Sequence, residues 1–323
     1  MIDRQLLEKA AAVIEGSREL ALACHVGPDG DALGSMIGFG IAARDAGKKV
    51  VASFGSPYSV PATLSFLPVD LLVDPDSFPE TPETMVVFDA GSADRLAELG
   101  SQAADSGTLV VVDHHATNEG FGDIALVDPH AAATAVIVAD LLDVLGWAIN
   151  AEIATCLLTA LVTDTGRFQY ANTNPEALNL AARLVEAGAR PDVISQKVYD
   201  EAPFGYLKVA GVALSRAELD PAARMVSTII TAQDLDEAGV GWGDIDNLIN
   251  TLRLAEEADV AVLAKVHADG TVKLSLRSRG DTDVGGLTAA MGGGGHRLAA
   301  GVTVKGAAEK AIEDVKAQLE AHR

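Results

Sequence analysis

Four apolar runs in the first half of the chain are continuous rather than alternating: Glu19 to Val26, Lys48 to Ser53, Thr84 to Phe88 and Leu109 to Val112. Runs of this kind predict strands covered on both faces, as in a parallel sheet. Helical apolar spacing lies between and after them. Leu6, Leu7, Ala10, Val13 and Ile14 share one face near the N-terminus. Further helices are predicted over Ala32 to Ala46, stopped by Gly47, over Asp94 to Leu99, Ala132 to Leu145 and Ala151 to Val162, and over 176–187, closed by Gly188. Residues 55–83 are rich in Pro and Ser and read as irregular, with a short strand near Leu71. Alternating strands and helices predict an α/β fold, a doubly wound, largely parallel sheet over residues 1–188.

The pattern changes after Pro191 and Pro203, and residues 189–215 read as a linker or connecting helix. Strands are predicted at Arg224 to Thr231, Val260 to His267 and Thr271 to Ser278, with a helix from Ile245 to Leu254. Asp269-Gly270 between two apolar runs is a hairpin signal. A glycine run ending in His296 precedes a last strand and helix. These elements predict a smaller α/β domain over 216–323.

Composition narrows the function. The chain of 323 residues carries 46 Asp and Glu against 24 Lys and Arg. That balance excludes broad phosphate contact with long duplex nucleic acid, which needs a basic surface. A small phosphate ligand held by metals and a few arginines stays open. Cys24 and Cys156 read as buried, reduced thiols. Met1-Ile-Asp-Arg-Gln does not read as a signal peptide, and no run of about 18 apolar residues predicts a membrane span. The expectation is a soluble cytoplasmic protein with no membrane partner.

The candidate chemistry sits where the apolar runs stop. His25, Asp29 and Asp31 follow the first run; Asp89 follows the third; Asp113, His114 and His115 follow the fourth; Asp164 ends a helix. In open α/β sheets such strand ends lie side by side and build sites. Taken singly, His25 reads equally as a core histidine, and Asp29 and Asp31 as turn or cap residues. Together, so many carboxylates repel unless cations lie among them. Carboxylates mixed with imidazoles suit manganese, magnesium, iron or zinc, and their number points to two ions. A second group comprises Arg277, Ser278, the glycine run with Gly294 and Gly295, and His296. It reads as a backbone anion nest beside a guanidinium, or as a tight turn.

His25-Val-Gly-Pro-Asp-Gly-Asp31 with Gly34-Ser35, Asp89, Asp113-His-His115 and Asp164 resembles the successive motifs of the DHH phosphoesterases. The glycine run with His296 and Arg277 resembles the DHH-associated C-terminal domain. The length and layout are similar to the branch that acts on short oligoribonucleotides, 3′-phosphoadenosine 5′-phosphate and, in some members, cyclic dinucleotides such as cyclic di-AMP. The resemblance implies a metal-dependent hydrolase with its active site in a cleft between two domains and in-line attack by a hydroxide bridging two divalent ions, manganese before magnesium. It implies His25, Asp29 and Asp89 on one ion, and Asp31, Asp89, His114 and Asp164 on the other. His115 is implied to contact the scissile phosphate, supported by Asp113, while Arg277, Ser278, Gly294, Gly295 and His296 are implied to hold substrate. The products are mononucleotides, and a homodimer is compatible with this reading. An inorganic pyrophosphatase or exopolyphosphatase shares the Asp-His-His motif, but the glycine-histidine run speaks against it. The acidic balance speaks against a RecJ-type exonuclease, and the full ligand set against a nucleotide sensor without turnover.

Overall fold

The computed structural model describes residues 2–118 and 120–321, which form two compact units meeting between Glu201 and Ala202. In the first unit α1 (Arg4–Gly16) precedes β1 (Glu19–Cys24), α2 (Gly30–Asp45), β2 (Lys49–Phe54) and β3 (Thr84–Phe88). Then come α3 (Leu99–Ala104), β4 (Thr108–Asp113), β5 (Ile124–Val127), α4 (Thr134–Leu145), α5 (Ala151–Asp164), α6 (Pro175–Glu186) and α7 (Pro191–Ser195). The five strands are all parallel, in the order β2-β1-β3-β4-β5. Alternate residues face two cores. Leu20, Leu22, Val86, Phe88, Val110 and Val112 pack among residues of α1, α2, α4 and α5. Ala21, Ala23, Met85, Val87 and Val111 pack with Leu96, Leu99 and Ala103. Burial on both faces is why these strands read as unbroken apolar runs.

α2 and α5 touch along a stripe of glycines. A Cβ on Gly30 would lie 2.4 Å from Thr163 Oγ1, one on Gly34 2.4 Å from the Cys156 carbonyl oxygen, and one on Gly38 3.2 Å from Cys156 Cβ. Three glycines inside a helix cost about 1 kcal/mol each relative to alanine. Here they admit the neighbouring backbone, and the approach carries Asp31 of α2 toward Asp164 of α5.

The second unit runs α8 (Phe204–Ser215), β6 (Glu218–Asp220), β7 (Met225–Thr231), α9 (Ala232–Ala238), α10 (Leu248–Leu252), β8 (Val260–Val266) and β9 (Thr271–Ser278). It ends with α11 (Val284–Ala290), β10 (Gly294–His296), β11 (Ala299–Lys305) and α12 (Ala308–Ala321). Its six-stranded sheet is mixed, in the order β10-β11-β9-β8-β7-β6, with β7 and β8 parallel and the other pairs antiparallel.

Several boundaries differ from the sequence reading. Residues 189–215 are divided between the units: Ile194 and Val198 belong to the core of the first, Val209 and Ala213 to that of the second. The short strand near Leu71 is a 3-10 turn, Val69–Leu71, followed by a single bridge from Leu72 to Ala52. The helix from Ile245 to Leu254 is a 3-10 turn, Trp242–Ile245, and then α10. β5, β6, α9 and α11 are too short for a periodic pattern to be read from residues alone.

Replacing Gly34 by alanine should drive a methyl into the Cys156 carbonyl. A loss of about 1–3 kcal/mol is expected, as for overpacked cores. Urea denaturation of Gly34→Ala measures it, and a midpoint at or above that of the parent chain would show that α2 and α5 have room to part.

Candidate metal centre

The ends of β1, β3, β4 and α5 and the first turn of α2 bring six side chains together. His25 follows β1 directly, and Asp29 caps α2, its Oδ1 accepting from the amides of Asp31 (3.0 Å) and Ala32 (3.1 Å). The same Oδ1 lies 3.9 Å from His25 Nε2, so the cap and the candidate ligand are one residue in two roles. Asp89 follows β3 with φ of +55°, a left-handed backbone that is costly for a residue bearing a Cβ. Its amide still donates to the Val112 carbonyl at 2.9 Å. The turn aims the two carboxylate oxygens at different neighbours. Oδ2 lies 3.5 Å from His25 Nε2, and Oδ1 lies 3.6 Å from His114 Nε2. His114 Nε2 is also 3.7 Å from Asp31 Oδ2 and 3.7 Å from Asp164 Oδ2.

These nitrogen–oxygen gaps are too long for good hydrogen bonds. They suit pairs of donors around one cation with bonds of about 2.0–2.2 Å. His25 Nδ1 lies 3.0 Å from the Val26 carbonyl and His114 Nδ1 3.2 Å from that of Ala131. Donation from Nδ1–H to a main-chain carbonyl fixes the tautomer and turns the Nε2 lone pair inward, the usual support of a ligating histidine. His25, Asp29 and Asp89 form one three-donor group, and Asp31, His114 and Asp164 another. Asp89, His114 and His115 form a third group, but His115 Nδ1 is 2.6 Å from Asp113 Oδ1. Asp113 in turn accepts from Asn118 Nδ2 at 2.7 Å.

The electrostatics match the donor chemistry. Asp31 and Asp89 are 1% and 3% exposed, and such carboxylates cannot all stay ionised side by side without compensation. Burial, with Asp89 nearby, pushes Asp31 up to about 7, and burial raises Asp164 well above the usual carboxylate range. For Asp89 burial also works upward, but His25 and His114 outweigh it and hold the carboxyl down. Burial works to lower His25 and His114; the surrounding aspartates win and raise both to about 9. Burial likewise lowers His115, and its hydrogen bond to Asp113 raises it in net. Protons thus supply the positive charge that a divalent cation would supply in their place.

Sequence reasoning missed several side chains around these ligands. Ser35 Oγ donates to Asp31 Oδ1 at 3.0 Å, and Asn172 Nδ2 to Asp164 Oδ2 at 3.3 Å. The first turn of α4 donates to both Asp31 and Asp89. Arg95 Nη2 lies 3.3 Å from His25 Nδ1. None carries a motif by itself; only Ser35 stands inside a pattern that the sequence displays.

In the second unit Arg277 and His296 both pair with Ala299, so the register sets them in one row across β9, β11 and β10. The side chain of His296 lies outside the described residues. Ser278 falls on the opposite face from Arg277 by strand alternation; it is 1% exposed and accepts from the Gly280 amide at 3.3 Å. The two therefore do not line one surface, which corrects their grouping. The nest reading of the glycines is corrected in part. The amides of Gly292 and Gly293 donate to the carbonyls of Ala289 and Thr288 at the end of α11. Gly293 and Gly295 are where β11 passes closest: a Cβ would lie 2.3 Å from the Gly301 oxygen or 2.6 Å from the Ala299 oxygen.

Residues 19–161 match the DHH family, N-terminal domain, and residues 224–321 match the DHHA1 domain. The chain belongs to the DHH family of phosphoesterases. Within it, the chain is 35% identical over 98% of its length to the bifunctional oligoribonuclease and PAP phosphatase NrnA of Thermus thermophilus, covering 94% of that protein. It is 27% identical to the protein of the same name from Bacillus subtilis, with 87% of each chain covered. The crystal structure of an exopolyphosphatase-related protein from Bacteroides fragilis shares the fold, with a TM-score of 0.92 at 24% identity, covering 100% of this chain and 97% of that one. Among the described residues no helix is long and apolar enough to cross a membrane.

The pH dependence of stability follows from the raised groups. His25 and His114 bind protons more tightly in the folded chain than in the unfolded one, so their contribution is complete below about pH 6.5 and is lost as pH rises through about 9. Asp31, raised to about 7, acts in the same direction at lower pH. The metal-free chain should melt at a lower temperature at pH 9 than at pH 6.5, and the gain from added manganese should grow over that interval. Thermal melts in chelator and in manganese measure both; a metal-free melting temperature that climbs with pH would refute the charge assignment.

Proposed function

We propose that this chain hydrolyses short oligoribonucleotides and 3′-phosphoadenosine 5′-phosphate to mononucleotides, with two divalent ions, manganese in preference to magnesium. The observation that carries the reading is the split of Asp89, one oxygen toward His25 and the other toward His114. A carboxylate so placed would serve two ions: His25, Asp29 and Asp89 would hold one, and Asp31, Asp89, His114 and Asp164 the other. The chemistry such ions would supply is Lewis-acid polarisation of phosphoryl oxygens and a water nucleophile near neutral pH. The oxygen-rich set with imidazoles and no thiolate favours manganese or magnesium over structural zinc.

His115 serves substrate rather than metal. Its Nδ1 is taken by Asp113, so the hydrogen bond it offers a phosphoryl oxygen comes from Nε2, and Asp113 sustains the positive ring. Asp113 is fully buried and acts through His115. Arg277, with Gly294 and Gly295 on the edge strand β10, one strand beyond β11, and His296 in its row, takes a phosphate or base remote from the scissile bond. Short substrates accord with a net charge of −22, which disfavours long polyanions. Similarity along almost the whole chain to the Thermus thermophilus protein supports this substrate class, and cyclic di-AMP offers the same phosphodiester chemistry.

The test is a substrate panel: the purified chain with manganese, given a short oligoribonucleotide, 3′-phosphoadenosine 5′-phosphate, cyclic di-AMP and pyrophosphate, with products separated by chromatography. AMP or other mononucleotides are expected from the nucleotide substrates, with activity lost in chelator and regained with manganese. Orthophosphate from pyrophosphate alone, or undiminished activity in chelator, would sink the reading.

Arg277→Ala separates recognition from chemistry. A charged contact to substrate is worth about 1.4 kcal/mol or more, so KM for the dinucleotide should rise about tenfold. Manganese content should not change, and a nitrophenyl phosphodiester without a distal group should be cleaved almost as before. Equal damage to both substrates would place Arg277 at the scissile phosphate instead.

A further inference from the structure

Asp31 and Asp89 share one set of donors that comes from none of the candidate ligands. Thr134, the first residue of α4, is fully buried. Its amide donates to Asp31 Oδ2 at 2.6 Å, and the next amide, of Ala135, to Asp31 Oδ1 at 3.2 Å. Its hydroxyl donates to Asp89 Oδ1 at 3.0 Å. A helix normally satisfies its first amides with the side chain of the residue before it. That residue here is Ala133, which has no side-chain acceptor. Asp31, from a different helix, takes the vacant role, so the end of α4 is completed only by a member of the metal cluster.

We propose that Thr134 is a positioning residue that sets the rotation of the Asp89 carboxylate, keeping Oδ1 turned to His114 and Oδ2 to His25. The inference rests on the two-ion reading above. The hydroxyl is the one neutral donor holding Asp89 Oδ1 among the contacts described, since the His114 and His115 nitrogens at 3.6 Å are beyond hydrogen-bond range. Without it, Oδ1 is released while Oδ2 keeps its neighbour His25. The two ion sites should therefore suffer unequally, with the Asp31, His114 and Asp164 site weakened more.

The experiment is titration of the metal-free full chain with manganese by calorimetry, for the parent, Thr134→Val and Thr134→Ser. Valine keeps the shape and the amide but removes the hydroxyl; serine restores the hydroxyl. The parent should bind two ions. In Thr134→Val one should bind within about threefold of the parent and the other at least tenfold more weakly, the size of effect typical when support of a ligand is lost. Turnover should fall in step with the second ion, Thr134→Ser should recover both, and circular dichroism should show all three metal-free chains folded. Two ions bound by Thr134→Val as by the parent would overturn the assignment. So would a loss at both sites that Thr134→Ser fails to restore, since that would be a packing effect. If the parent binds fewer than two ions, the two-ion reading falls, and the role of Thr134 with it.

Discussion

Buried negative charge must be compensated, and the arrangement of the first unit follows from how that is done. Asp31 and Asp89 are almost without solvent, and Asp164 lies beside them. Each reaches the cluster from a different element, so no local hydrogen bonding could satisfy all three. The compensation is assembled from everywhere at once: two imidazoles, the amides at the head of α4, and hydroxyl and amide side chains of Ser35 and Asn172. These donors favour the ionised carboxylates, but they do not offset burial and mutual repulsion at Asp31 and Asp164, which are both raised. The charge that the donors leave uncompensated is of the kind a cation could offset.

Much of this was legible in the residues because two signals agree. Continuous apolar runs locate strands buried on both faces, and polar residues just past such runs have nowhere to go but the sheet's carboxyl edge. His25, Asp89 and the Asp113-His114-His115 stretch are found in this way, and Asp29 and Asp31 in the loop that follows. Thr134 is not, since a threonine after three alanines has no periodic or chemical mark, and its importance comes from Asp31 being brought to it by another helix. Asn118 and Asn172 reach carboxylates only five and eight residues away, but each stands in a loop where an asparagine reads as an ordinary turn residue. Short elements such as β5 and α11 fail for a different one: a strand of four residues or a helix of two turns has too few positions to show a period.

The second unit shows the limit of reading a motif by composition. A glycine run suggests exposed amides waiting for an anion. Two of those amides close α11 instead, and two of the glycines are needed because β11 runs too close for a side chain. Adjacent residues on a strand also look like one patch in sequence and are not: Arg277 and Ser278 part to opposite faces. The row that does emerge, Arg277 with His296 across Ala299, is a property of strand register, which depends on pairing and not on proximity in the chain.

The glycine stripe of α2 has a bearing on which parts of the chain must be present together. With Gly30, Gly34, Gly38 and Gly40 in its span, α2 is a poor helix on its own, and its hold on shape comes from the surface of α5. That surface lies more than a hundred residues downstream, so α2 is held by a part of the chain remote from it in sequence. The carboxylate of Asp31, in the first turn of α2, owes its setting to the stretch that ends at Asp164. The candidate metal centre therefore depends on both ends of the first unit at once: a fragment that stops short of α5 lacks Asp164 and also the surface that holds α2 and Asp31.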